Sequence, residues 1–202
     1  MEDKFGQMDL KINKKVSAKE LNNIMDSILS FNFTEWEMQN GEECIVVFTD
    51  EIDNVIFSDF NKGKYEIYRE KETCVKELLK SIFTCIDSNE CLIIKENEKW
   101  ITNRKKAKLL DRVLRENNIN NRENCGIYVS KDSPIIPLFV EATLRYYAFV
   151  AFVFEKEKLI IAPSDHMDIF IFYEKHDIYS IIKECVEQYN HEKHVFEITQ
   201  RS

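Results

Sequence analysis

Hydrophobic positions along the chain fall into alternating helical and strand periods. Leu21, Ile24, Met25, Ile28 and Leu29 recur at the three- and four-residue spacing of one helix face, and the preceding Ser17-Ala-Lys-Glu20 is a capping box, so a helix is predicted over about 17–30. A polar and aromatic loop from Phe31 to Gly41, holding Trp36, leads to Cys44-Ile-Val-Val-Phe48, an apolar run with the length and β-branching of a buried strand. Asn54–Phe57 and Tyr65–Tyr68 read as two further strands, with turn residues between them at Thr49–Asp53 and Asn61–Lys64, which makes an antiparallel meander. Thr73 then stands where it can cap a helix carrying Val75, Leu78, Leu79, Ile82, Phe83 and Ile86 on one stripe, and Cys91–Ile94 follows as a strand.

A basic amphipathic helix is predicted from Asn103 to Asn117, with Ala107, Leu110, Val113 and Leu114 inward, and the Asn-rich stretch Asn117–Asn124 reads as a linker. Beyond it, Tyr147–Phe154, Lys158–Ala162 and Asp168–Tyr173 are strands. Asp177 caps a helix with Ile178, Ile181, Ile182, Cys185, Val186 and Tyr189, and His194–Ile198 is a last strand. At an offset of about 104 residues, Val47 falls on Ala151, Phe48 on Phe152, Ile56 on Ile160, Ile67 on Ile171 and Leu78 on Ile182. The expected fold is α+β, with two similar β-β-β-α-β units over 1–101 and 102–202, each an antiparallel sheet covered by amphipathic helices.

Composition narrows the chemistry. The 202 residues are 44% hydrophobic and 32% charged, the balance of a folded soluble chain. No run approaches the roughly 18 apolar residues of a membrane span, and Met1-Glu-Asp-Lys-Phe5 lacks the plan of an export signal, so a cytoplasmic location is expected. Six cysteines without any C-x-x-C pair read as reduced, buried thiols rather than metal ligands. With four glycines, and neither G-x-G-x-x-G nor G-x-x-x-x-G-K-[ST], the common nucleotide sites are disfavoured, and neither a cofactor nor a metal is expected.

The net charge of −8 is unevenly placed. Between Lys19 and Lys62 there is no Lys or Arg, yet the interval holds Glu20, Asp26, Glu35, Glu37, Glu42, Glu43, Asp50, Glu51, Asp53 and Asp59. Arg104, Lys105, Lys106, Lys108, Arg112, Arg115, Arg122 and Lys131 make the opposite bias later. Acids flanking Trp36 and neighbouring Phe31, Phe33 and Phe60 suit the grip of a basic partner, in which charge speeds encounter and a desolvated aromatic holds it. Glu35, Trp36, Glu37, Glu42, Glu43, Asp50, Glu51, Asp53 and Asp59 are therefore the candidate partner-binding residues.

No diagnostic catalytic motif is present. Pro163-Ser-Asp-His-Met-Asp168 gathers Ser164, Asp165, His166 and Asp168 in one turn, where they offer a general base or a metal or acid/base pair, although consecutive turn residues do not converge as a triad must. His191 and His194 form H-x-x-H in a predicted turn, not H-E-x-x-H on a helix, and His176 beside the Asp177 cap reads as a surface residue. The expected function is a small acidic, non-enzymatic binding protein of a low-GC bacterium, an immunity- or antitoxin-type inhibitor covering the basic face of a toxin such as a nuclease. The alternatives are a hydrolase or metal-dependent enzyme built on the Ser164-His166-Asp168 loop, or a nucleic-acid accessory protein using the helix at 104–115, which an acidic chain disfavours.

Overall fold

The computed structural model describes residues 10–28, 31–32, 37–38, 41–49, 62–193 and 195–201. In chain order the strands are β1 (Lys14–Ser17), β2 (Phe31–Asn32), β3 (Glu37–Met38), β4 (Glu42–Phe48), β5 (Glu90–Lys95), β6 (Cys125–Ser130), β7 (Val150–Phe154), β8 (Leu159–Pro163), β9 (Ile169–Tyr173) and β10 (Phe196–Arg201). The helices are α1 (Ala18–Ser27), α2 (Lys62–Cys85), α3 (Lys108–Glu116), α4 (Ile135–Leu144) and α5 (His176–Lys193). Eight strands form one antiparallel sheet in the order β1-β6-β5-β7-β8-β9-β4-β10, and β2 pairs with β3 apart from it.

The α+β class is as expected, whereas the two-unit repeat is not confirmed. Instead of one sheet for each unit, a single eight-stranded sheet takes strands from both, with β4 between β9 and β10 and β5 between β6 and β7. Residues 65–68 are not a strand but part of α2. The buried positions Tyr68, Glu72, Val75, Leu79, Ile82 and Ile86 continue one stripe at helical spacing through Glu72, a charged residue at an inward position that breaks the apolar pattern. Thr73 is therefore mid-helix, where its hydroxyl donates to the Arg69 carbonyl at 2.8 Å instead of capping. The candidate strand at 54–57 lies outside the described residues.

Side-chain alternation divides the core between the two faces of the sheet. Phe152 and Phe154 of β7, Ile161 of β8, and Ile171 and Tyr173 of β9 pack beneath α2, α3, α4 and α5, which contribute Leu78, Val113, Phe139 and Ile182 among others. Ala151, Val153, Ile160 and Phe172 face the other way, with Leu92 and Ile94 of β5, with Leu21 and Met25 of α1 and with Ile28 just after it. Being buried on both faces is why β7 and β8 read as unbroken apolar runs. At Gly126 of β6 an added Cβ would stand 2.6 Å from Leu92 Cδ1, so the absent side chain lets β6 lie close to the α1-facing layer.

Local signals account for several boundaries. The capping box of α1 is formed, Ser17 Oγ accepting the Glu20 N–H and Glu20 Oε2 accepting the Ser17 N–H at 3.0 Å. α3 begins later than expected because Asn103–Ala107 turns on the Asn103 carbonyl, which accepts from Lys106 and Ala107. α4, β6 and β1 had no predicted counterpart. α4 is apolar almost all round, with seven buried residues and Pro137 in its first turn, so it carries no amphipathic stripe to find. The 117–124 stretch is a loop leading directly into β6 within the same sheet. None of the described helices is long and apolar enough to cross a membrane.

Candidate functional site

The strand ends on the α1-facing side of the sheet line an open pocket of about 410 Å³. Its described lining comes from five strands or their ends: Glu43 of β4, Phe170 and Phe172 of β9, Ala162 and Pro163 of β8, Phe149 just before β7, and Glu96 just after β5. Ser164 and Asp165 close it from the β8–β9 turn. Sheet register builds the arrangement. Glu43 lies opposite Phe172 and Ala162 opposite Phe170, while the Phe149 carbonyl accepts the Glu96 N–H at 2.9 Å, extending the pairing of β5 and β7 by one step. Because alternate strand residues share a face, Glu96 continues the row of Leu92 and Ile94, which places a carboxyl where the two preceding same-face residues are buried.

Three carboxylates thus meet three phenyl rings. Burial pushes the Glu96 carboxyl up to about 8, and the neighbouring Asp165 adds to the rise. Burial likewise raises the Asp168 carboxyl from its ordinary value, with His166 opposing and Asp165 reinforcing the change. No Lys or Arg is among the described lining residues. A cation at Glu96 and Asp165 would take the place of the Glu96 proton and face aromatic rings.

The β8–β9 turn shows how the Ser164–Asp168 sequence is used. The Ser164 N–H donates to the Asp168 carbonyl at 2.8 Å, the Met167 N–H donates to the Ser164 carbonyl at 3.1 Å, and Ser164 Oγ accepts the His166 N–H at 3.1 Å. Met167 takes a left-handed φ of 68°, an uncommon conformation for a side-chain-bearing residue, and its side chain is buried in the helix-facing core. The turn directs Asp165 to the pocket and leaves His166 exposed. Among the described residues, no hydrogen bond joins the Ser164 hydroxyl to the His166 ring, so a Ser-His relay is not assembled here.

The remaining candidates are dispersed. Glu42, next to Glu43 on β4, points to the opposite face and stands 3.5 Å from His176 Nδ1 at the start of α5. Glu37 belongs to β3, in the two-stranded pair. Glu35, Trp36, Asp50, Glu51, Asp53 and Asp59 lie outside the described residues, as does His194. His191 is in the last turn of α5 rather than in a turn between elements. In the basic segment, Asp111 is 93% buried and takes Arg104 at 2.5 Å and Arg115 at 2.8 Å, so two of its arginines are committed to an internal carboxylate. Among the described residues, no group of three or more His, Cys, Asp or Glu is arranged to hold a metal ion.

Glu96, Phe149, Phe170 and Phe172 are lining residues that the sequence does not mark as candidates. The signal available for Glu96 was the period of two that runs Leu92, Ile94, Glu96 past the apolar end of β5, whereas nothing local marks Phe149. Comparison of the chain with protein families, curated proteins and solved structures finds no match.

Proposed function

We propose that the chain is a non-enzymatic binding protein that takes a cationic side chain of a basic protein partner into the pocket of Glu43, Glu96 and Asp165. The observation that carries this is the meeting of three carboxylates with Phe149, Phe170 and Phe172 around one open pocket of about 410 Å³. Arginine suits it better than lysine, because a guanidinium is flat, weakly hydrated, stacks on rings and offers forked donors to carboxylates. The wider acidic interval, Glu35 to Asp59 with Trp36, serves in this reading to speed encounter. The protein is then an immunity- or antitoxin-type inhibitor, masking the basic face of a toxin.

Titration calorimetry with an arginine amide peptide bearing no other charge tests the pocket. Binding is expected to tighten between pH 6.5 and pH 8.5, as Glu96 gives up its proton, and to release protons at the lower pH. Glu96→Gln and Asp165→Asn are each expected to weaken it about tenfold, equivalent to about 1.4 kcal/mol. Equal binding by the wild type and the double variant overturns the reading.

A second reading, acid–base catalysis in the same pocket, is favoured by Glu96 itself. A carboxyl held at about 8 beside another carboxyl group is the pairing on which general acid and general base roles divide. It requires Glu96→Gln to abolish a turnover while leaving substrate binding in place.

A further inference from the structure

Cys85 is the last residue of α2 and Cys185 lies within α5, helices that pack on each other over the same face of the sheet. Their sulfurs are 3.4 Å apart although the residues are 100 apart in sequence. Both are free thiols, Cys85 exposed and Cys185 buried. The exposure of Cys85 departs from the expectation that all six thiols are buried. Cys44, Cys74, Cys91, Cys125 and Cys185 are buried, at 6% exposure or less, which sets Cys85 apart.

We propose that Cys85 and Cys185 form a peroxide-sensitive dithiol that closes to a disulfide tying α2 to α5. The accessible Cys85 sulfur attacks one oxygen of a hydroperoxide. The O–O bond breaks, Cys85 becomes a sulfenic acid, and the departing oxygen leaves as water or alcohol after taking the thiol proton. The Cys185 sulfur then attacks the Cys85 sulfur. The S–O bond breaks, and hydroxide leaves as water with the Cys185 proton. Two thiols are oxidised, one hydroperoxide is reduced, and no further reactant is needed.

Geometry and chemistry assign the order. Cys185 is shielded from an external oxidant, and burial together with Cys85 pushes its thiol up to about 12, while Ser81, one turn before Cys85, hydrogen-bonds to it and opposes the rise. A thiol of that kind is a poor first target but stands at the right place to resolve a sulfenic acid next to it. At 3.4 Å the sulfurs are within reach of the roughly 2.05 Å of a disulfide. The bond closes a long loop of chain, so oxidation is expected to raise the thermal midpoint.

The reduced full chain is treated with a small excess of hydrogen peroxide, its remaining thiols are alkylated, and the digest is mapped by mass spectrometry. Two of six thiols should disappear together as a Cys85–Cys185 cross-linked peptide that dithiothreitol reverses. The oxidised chain should melt several degrees higher than the reduced one. Cys185→Ser should instead leave Cys85 as a sulfenic acid that a 1,3-diketone probe captures, and the exposed-site variant Cys85→Ser should abolish the cross-link with the other thiols untouched. Oxidation of Cys85 in the unaltered chain without a cross-link, a cross-link through another cysteine, or six thiols surviving the treatment overturns the proposal, and the mapping of the unaltered chain does not depend on either variant folding.

Discussion

Two groups of carboxylates lie on opposite faces of the same sheet and are handled in opposite ways. On the helix-covered face, Glu72 of α2 is almost wholly buried and is met by Arg145 through two bonds of 3.0 and 3.1 Å and by Lys76 at 2.8 Å. Glu141 of α4 completes the network, 2.6 Å from Arg145 and 3.3 Å from Lys76, so two acids balance two bases where α2 packs on α4. On the α1-facing side, Glu43, Glu96 and Asp165 share a pocket with no Lys or Arg among its described lining residues. A buried acid met by two bases holds two helices in register, whereas Glu96, pushed up to about 8 by burial with Asp165 adding to the rise, keeps its proton through neutral pH.

Breaking the compensated group should have the largest effect. Arg145→Ala leaves Glu72 buried with Lys76 alone, and a loss of about 3 kcal/mol in urea unfolding is expected. Arg145→Lys should recover only part of it, because an ammonium cannot repeat the two parallel bonds of the guanidinium. An unchanged urea midpoint in Arg145→Ala would remove the distinction between the two groups.

The pocket group should show itself through pH. With Glu96 near 8 in the folded chain and near 4.5 when unfolded, the folded state holds an extra proton between those values. Its stabilising contribution is therefore complete below about pH 4.5 and is lost as pH rises through 8, at up to about 1.4 kcal/mol per pH unit. Glu96→Gln should flatten that part of the stability profile, as measured by unfolding at pH 5, 6.5 and 8. The smallest effect is expected at His166, exposed on its turn: His166→Ala should change stability by less than about 0.5 kcal/mol and leave binding of the arginine peptide within twofold.

What was legible in the chain depended on whether the local pattern agreed with the tertiary environment. α1 was readable because a capping box and a one-sided stripe coincide there, and β7, β8 and β9 because burial on both faces leaves continuous apolar runs. The first turns of α2 read as a strand because Glu72, an inward charge, interrupts the stripe, and its acceptability rests on Arg145, 73 residues away. α4 gave no periodic signal because both its sides are covered. Of the pocket, the sequence singles out Glu43 in an acidic interval and Ser164 and Asp165 in a turn.

The sequence by itself determined the mixed α and β content, the acidic balance and most of the strands, because these follow from composition and from periods of two and three to four residues. Only the tertiary structure decided that β4 enters the sheet between β9 and β10, and with it that Glu43 faces Phe172. The same holds for Glu96 beside Asp165 and for Cys85 beside Cys185. Strand order and helix packing bring together residues far apart in the chain, and the charge or reactivity of each is set by neighbours that no local pattern names.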